Sequence, residues 1–141
     1  MCIRDRKGTA LQHENLDVRT AWAGVYAVRS SSPTVYLLRA GAVPAMMRVH
    51  GGEGSPHLDG DDEWHPLVDL VCGPILDGRP FTRDDFKAWT IRVGSRSRYV
   101  VDPAPVPEYR WVVGRTVTSI EGPLPAAEIE RLVNGSARDG R

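Results

Sequence analysis

Cysteine is scarce in this chain of 141 residues: the two cysteines are Cys2 and Cys72. Small secreted domains held by disulfides carry several closely spaced cysteines, so this class is not expected and a reducing compartment is favoured. The sequence also lacks the run of about eighteen uncharged residues that a membrane helix needs. Residues 4–7 (RDRK) alternate in charge where a signal peptide would be apolar. We therefore expect a cytoplasmic protein that makes no membrane contact.

Net charge is absent as well, because 18 Lys and Arg balance 18 Asp and Glu. A protein that binds nucleic acid or anionic lipid over its whole surface would carry an excess of positive charge, so that class is not favoured. The length predicts one domain with a core of its own. The apolar fraction of 41% is normal for a globular protein and argues against global disorder.

The N-terminal half predicts a β-meander. Residues 21–29 (AWAGVYAVR) alternate bulky and small side chains, and residues 34–39 (TVYLLR) are β-branched and aromatic. Between them, residues 30–33 (SSSP) have turn chemistry, so the two segments predict an antiparallel hairpin. Residues 45–50 (AMMRVH) fit a third strand. Residues 65–72 (HPLVDLVC) are compatible with either a strand or a helix of two turns.

The C-terminal half predicts a second hairpin and a long strand. Residues 89–93 (WTIRV) and 98–101 (RYVV) flank a Gly-Ser turn, which favours pairing between them. Residues 109–120 (YRWVVGRTVTSI) predict one long strand with a bend at Gly114. A helix is expected after Pro125, with Asn134-Gly135 as its C-cap.

These elements predict a mainly β fold with a minor helical part: a small antiparallel β-barrel or β-roll with a short C-terminal helix. The expected organisation is a disordered or artefactual leader over residues 1–16, a single β-rich domain over residues 17–135, and a disordered tail over residues 136–141.

Three short segments resemble known sequences. Residues 1–6 (MCIRDR) resemble a leader that recurs in translated metagenomic assemblies, where sequencing adapter has been read as protein. Residues 27–38 (AVRSSSPTVYLL) and 117–121 (VTSIE) resemble small uncharacterised proteins of high-GC actinobacteria and their phages. The resemblance implies a bacterial, cytoplasmic protein, and it carries no functional residue with it.

A glycine-rich acidic loop over residues 50–65 joins the predicted third strand to the next apolar segment, and it contains three of the four histidines. Imidazoles and carboxylates are ligands for divalent ions, so a metal-dependent enzyme built on this loop is one hypothesis. Its spacing does not match a calcium loop, and its glycines would leave the ligands poorly organised. We therefore predict no metal and no cofactor. The metal-ligand candidates are His50, His57, Asp59, Asp61 and His65.

Basic residues are concentrated between residues 87 and 120, a segment that contains six basic and only two acidic residues. Our leading hypothesis is a non-enzymatic accessory protein, a β-rich module that binds another protein. Candidate contact residues are Trp64, an aromatic among charged neighbours, and Arg96 and Arg98. The remaining hypothesis is weak binding of single-stranded nucleic acid through this Arg-rich half, with Tyr99 and Trp111 stacking on bases.

Overall fold

A computed structural model describes residues 11–50, 62–74, 80, 82–102 and 110–139, without the side chains of residues 110, 111 and 135–139. Strands dominate this part of the chain, and a single helix follows them. The strands are β1 (Gln12–His13), β2 (Asn15–Asp17), β3 (Gly24–Ser30), β4 (Val35–Ala40), β5 (Ala45–Val49), β6 (His65–Cys72), β7 (Lys87–Ala88), β8 (Thr90–Arg92), β9 (Ser97–Val101), β10 (Arg110–Val113) and β11 (Val117–Glu121). The helix α1 spans Ala126–Asp139.

The main sheet is antiparallel, with the strand order β1-β11-β3-β4-β5-β6-β9-β10 and with β7 added beside β6. Strands β2 and β8 form a separate two-stranded sheet. Within the described residues, the two ends of the main order, β1 and β10, do not pair with each other. The mainly β class is therefore confirmed, but the closed barrel is not, because the described sheet is open.

The predicted meander is confirmed in β3, β4 and β5. Tyr26 pairs with Leu38, and Leu38 in turn pairs with Met46, so these three side chains share one face of the sheet. They belong to the larger core cluster, which the two-stranded sheet also enters through Leu16 and Ile91. Successive side chains point to opposite faces, which directs the neighbouring residues of these strands to the other side of the sheet.

That other side is buried as well, because α1 covers it. Ile129, Leu132 and Val133 are spaced three and four residues apart and therefore lie on one helix face. They pack against a second core cluster that includes Leu37 and Met47. The burial of both faces explains why β4 is apolar almost throughout, where a one-sided strand would alternate with polar residues.

The predicted second hairpin is wrong. Strand β8 pairs with β2, and β9 lies between β6 and β10, although only four residues separate β8 from β9. The apolar residue of β8 accounts for this choice, because Ile91 is opposite Leu16 and both are buried in the larger core. Residues 65–72, which were compatible with a strand or a helix, form strand β6.

Regular elements extend into both segments that were predicted to be disordered. Strand β1 and the first two residues of β2 lie inside the leader proposed for residues 1–16, and Leu16 is a core residue. At the other end, α1 runs through Gly135 and overlaps the tail proposed for residues 136–141. Glycine is only a weak helix breaker, costing about 1 kcal/mol relative to alanine, so it did not end the helix. Residues 1–6 lie outside the described part of the chain.

The single long strand predicted over residues 109–120 is wrong: the strand is interrupted at Gly114, and β10 pairs with β9 whereas β11 pairs with β1 and β3. Below Gly114, the rings of Tyr36 and Tyr99 are stacked with their centroids 4.8 Å apart. A Cβ atom at residue 114 would lie 3.4 Å from both rings. The absence of a side chain therefore lets the chain cross closely over this aromatic pair. The described helix is too short and too polar to cross a membrane.

Candidate functional site

A hollow of about 380 Å³ lies on the face of β6, β9 and β10. We call it the basic hollow, because two arginines stand among its mainly apolar lining. It is lined by Val71, Gly73, Phe86, Arg96, Ser97, Arg98 and Val113.

Strand register brings the central residues of the basic hollow together. Val71 on β6 and Val113 on β10 both lie opposite Arg98 on β9. Directly opposed residues of antiparallel strands project from the same face, so these three side chains form one row across the sheet. Arg96 lies directly before β9 and lines the hollow beside this row.

Phe86 reaches the basic hollow from a short 3₁₀ helix, Arg83–Asp85, that follows β6 in the chain. Thr82 and Asp85 form a capping box: the carboxylate of Asp85 accepts a hydrogen bond from the backbone N–H of Thr82 at 2.7 Å. This cap fixes the start of the turn, as the sequence T-x-x-D predicts. The Phe86 ring then lies beside Gly73, 3.7 Å from the position a Cβ atom would occupy there.

The two arginines of the basic hollow are held differently. The Nε of Arg96 donates to the backbone carbonyl of Gly114 at 3.0 Å, which fixes the guanidinium near the end of β10. Arg98 lies 3.6 Å from the carboxylate of Asp69, and both side chains are about half exposed. The pair is weak in such a solvated setting. Among the described residues, the face thus combines two cations with one anion and retains a positive charge.

Apolar side chains remain exposed in the same place. Phe86 is 47% and Val113 is 44% exposed, which makes them two of the most exposed large apolar residues in the described chain. Scattered exposed apolar residues are ordinary, but apolar surface that is grouped in a hollow with arginines is typical of binding sites.

The other basic residues predicted for this half do not all join the hollow. Arg92 is directed into the fold, where one terminal nitrogen donates to the backbone carbonyls of Gly73 and Asp85 at 2.6 Å each. Arg115 is exposed but does not line the hollow. The side chain of Arg110 lies outside the described part of the structure.

Trp64, the third predicted contact residue, does not line the basic hollow. It is half-buried and packs against the second core cluster, beside α1. The guanidinium of Arg39 lies over its ring, 4.3 Å from the centroid. A contact role for Trp64 stays a prediction, and it would belong to a different surface from that of the arginines.

Of the five metal-ligand candidates, His57, Asp59 and Asp61 lie outside the described residues. His50 is half-buried at the end of β5, and its backbone N–H donates to the Asp62 carboxylate at 3.0 Å. His65 begins β6. No group of three or more His, Cys, Asp or Glu in the described chain is arranged to hold a metal ion.

Tyr99 is unsuited to stacking on bases, contrary to the nucleic-acid hypothesis. Its side chain is 1% exposed and already stacks on Tyr36. Burial, assisted by the nearby Tyr36, raises the pKa of the Tyr99 hydroxyl above its ordinary value of 10. Tyr99 is therefore a neutral core residue. The side chain of Trp111, the other proposed platform, lies outside the described part of the structure.

A second hollow of about 360 Å³ lies at the opposite end of the strand order, beside β1 and β2. Trp22 stands at its rim and is 49% exposed. Its polar groups already serve the fold: His13 bonds to the carbonyl of Gly122, and the Asp17 carboxylate accepts from two backbone N–H groups. His13 and Asp17 therefore have fewer hydrogen-bonding atoms left for a ligand than the two guanidinium groups of the basic hollow have.

Sequence reasoning identified Arg96 and Arg98 but missed Val71, Phe86 and Val113. The pattern of β10 gave little reason to expect an exposed valine, because a Val-Val pair in a strand fits a core equally well. Phe86 offered a usable signal. It is a large apolar residue in a polar stretch directly after a capping box, where burial is hard to achieve.

Comparison with protein-family models, with curated proteins and with solved structures finds no match to this chain.

Proposed function

We propose that this protein is a non-enzymatic interaction module that binds another protein through the basic hollow. The observation that carries the proposal is the grouping of exposed Phe86 and Val113 with Arg96 and Arg98. Aromatic residues and arginine are enriched in protein interfaces, because both combine a large contact area with directional contacts. The partner segment is therefore acidic and carries apolar side chains.

The lining of the basic hollow favours binding over catalysis. The described residues that form it include no carboxylate, imidazole or thiol to act as a general base. We also propose a bacterial or phage accessory role and a cytoplasmic location, in line with the sequence resemblance and with Cys72, which is a buried free thiol in the described chain.

Protein is favoured over nucleic acid as the partner for three reasons. The hollow offers two arginines, one of them beside Asp69. Arg92 is already bonded to backbone carbonyls. Tyr99 is buried, although single-stranded nucleic acid is bound by exposed aromatic platforms within a strongly positive groove.

The test is selection from a random-peptide display library on the wild-type protein and on Arg96→Glu/Arg98→Glu. The control is Arg115→Glu/Arg131→Glu, which makes the same change in net charge at exposed arginines outside the hollow. The single variant Arg98→Glu repeats the measurement with less risk to the fold. Among the described residues Arg98 has only Asp69 as an ion-pair partner, so its replacement breaks few structural contacts.

We expect peptides with acidic and apolar residues to be enriched on the wild type and on the control, and to be lost on both hollow variants. Equal enrichment on the wild type and the hollow variants, or no enrichment at all, would overturn the proposal. A second experiment measures the binding of fluorescently labelled single-stranded DNA by anisotropy at about 50 and 200 mM salt. Sub-micromolar binding that falls steeply with salt and requires Arg98 would assign the hollow to nucleic acid instead.

A further inference from the structure

Strand β10 borders the basic hollow and is the last strand of the main sheet. On one side it pairs with β9 through four residue pairs, from Arg110 with Val101 to Val113 with Arg98. On its other side no strand pairs with it within the described residues. In the described part of the chain this side is a free sheet edge, and such edges are templates for the addition of another strand.

The alternation of hydrogen bonds shows which backbone groups this edge offers. The N–H of Gly114 donates to the carbonyl of Ser97 at 3.0 Å, so the backbone groups of residue 114 point toward β9. In an antiparallel ladder, successive residues direct their N–H and C=O groups to alternate sides. The backbone groups of Val112 therefore also point toward β9, whereas those of Trp111 and Val113 point toward the free edge.

The usual protections of an edge strand are missing at Val113. Natural edges are blunted by charged side chains, prolines or bulges. Val113 is an exposed apolar residue, and the register of β10 with β9 is regular. Arg96 is bonded to the carbonyl of Gly114, just past the end of β10, and it lines the basic hollow together with Val113, so a cation stands on the face next to this edge.

We propose, on the basis of the function proposed above, that the partner contributes an extended acidic segment that binds as an additional β-strand along β10. Its backbone pairs with the N–H and C=O groups of Trp111 and Val113. Its apolar side chains lie on the Val113 side of the basic hollow, and a carboxylate meets Arg96. A second copy of this chain fits less well, because it would bring arginines of the same charge to the same edge.

The decisive variants exchange adjacent valines of β10 for proline. Val113→Pro removes an N–H that points to the free edge and leaves the ladder with β9 intact, a position at which proline is tolerated. Val112→Pro is the matched control for folding, because it removes an N–H that bonds to β9. The probe is the peptide most enriched on the wild type in the display selection, labelled with fluorescein.

We expect Val113→Pro to keep the wild-type thermal midpoint and to bind the probe at least tenfold more weakly, whereas Val112→Pro lowers the midpoint. Two further probes carry N-methyl groups on alternate backbone amides, one on the odd-numbered and one on the even-numbered residues. The probe whose methylated amides point toward β10 should bind about tenfold more weakly, and the other should bind as tightly as the unmethylated peptide. In the complex, the amides of Trp111 and Val113 should gain at least tenfold protection from hydrogen exchange. The amides of Val112 and Gly114 should be protected already without the probe.

Full binding to Val113→Pro, with both N-methylated probes also binding, would overturn strand addition. If the same probe still required Arg96 and Arg98, the proposed interaction module would stand and only its binding mode would be wrong. Loss of specific binding in the display selection itself would instead refute the proposed function. Peptide-independent dimers that dissociate in Val113→Pro would assign the edge to a second copy of the chain.

Discussion

Two adjacent leucines of β4 provide a direct test of the two-sided sheet. Leu38 belongs to the larger core, with Tyr26 and Met46, whereas Leu37 belongs to the second cluster beneath α1. Both leucines are fully buried. Leu37→Ala and Leu38→Ala therefore each remove a buried side chain, from opposite faces of the same strand.

The expected loss of stability is large for both variants. Leucine-to-alanine changes at fully buried sites cost about 2–5 kcal/mol, because the lost burial is joined by the cost of a cavity. For a chain of this size, about 3 °C of thermal midpoint corresponds to each kcal/mol, so midpoints should fall by roughly 6–15 °C. Val43→Ala is the control, because Val43 is 79% exposed and its truncation should cost less than about 0.5 kcal/mol.

Urea unfolding of single and double variants measures which leucine the helix covers. Leu132 on α1 packs against the second cluster, so Leu132→Ala should couple with Leu37→Ala by about 0.5–3 kcal/mol. With Leu38→Ala the two effects should add. A Leu37→Ala cost below about 1 kcal/mol, or coupling of Leu132 to Leu38 instead, would show that α1 does not seal this face and would refute the reasoning.

Three further changes have expected outcomes. Because burial raises the pKa of the Tyr99 hydroxyl in the folded state, the unfolded chain loses this proton at a lower pH than the folded chain does. The free energy of unfolding should therefore fall as pH rises from about 9 to 11, and urea titrations of Tyr99→Phe should show a shallower fall. Gly135→Ala should raise the thermal midpoint, by roughly 0.5–1 kcal/mol in stability, because residue 135 is helical; a lower midpoint would indicate a left-handed C-cap. By urea unfolding, Arg92→Ala should cost about 1.5–3 kcal/mol, because Arg92 bonds two carbonyls, whereas Arg98→Ala should cost less than about 1 kcal/mol; equal costs would contradict the structural role of Arg92.

Local patterns predicted the part of the fold that is local. The β3–β4–β5 meander follows from alternation and turn residues. The partner of β8 could not be obtained in this way. Its contact between Ile91 and Leu16 joins residues 75 positions apart, and strand propensity carries no information about which distant strand completes a core.

The candidate site was predictable in its charges and not in its apolar surface. Clustering along the sequence identified Arg96 and Arg98, and their spacing of two residues predicts a shared face if the stretch is extended, as their common place in the hollow shows. The same count included Arg92, which the fold uses to bind backbone carbonyls. Whether a valine of β10 is buried depends on which elements pack over and beside it, and that is a property of the assembled sheet.

The pairing of β1 with β11 also bears on how the chain folds over time. It joins Gln12 to Glu121 across 109 positions of sequence and His13 to Ile120 across 107, whereas the strands of the meander are joined by short turns. Closing so long a segment costs chain entropy, so this pairing should follow the rate-limiting barrier rather than precede it. Contacts made after the barrier govern the unfolding rate and leave the folding rate almost unchanged. We therefore expect strand β1 to influence mainly the rate of unfolding and the meander mainly the rate of folding.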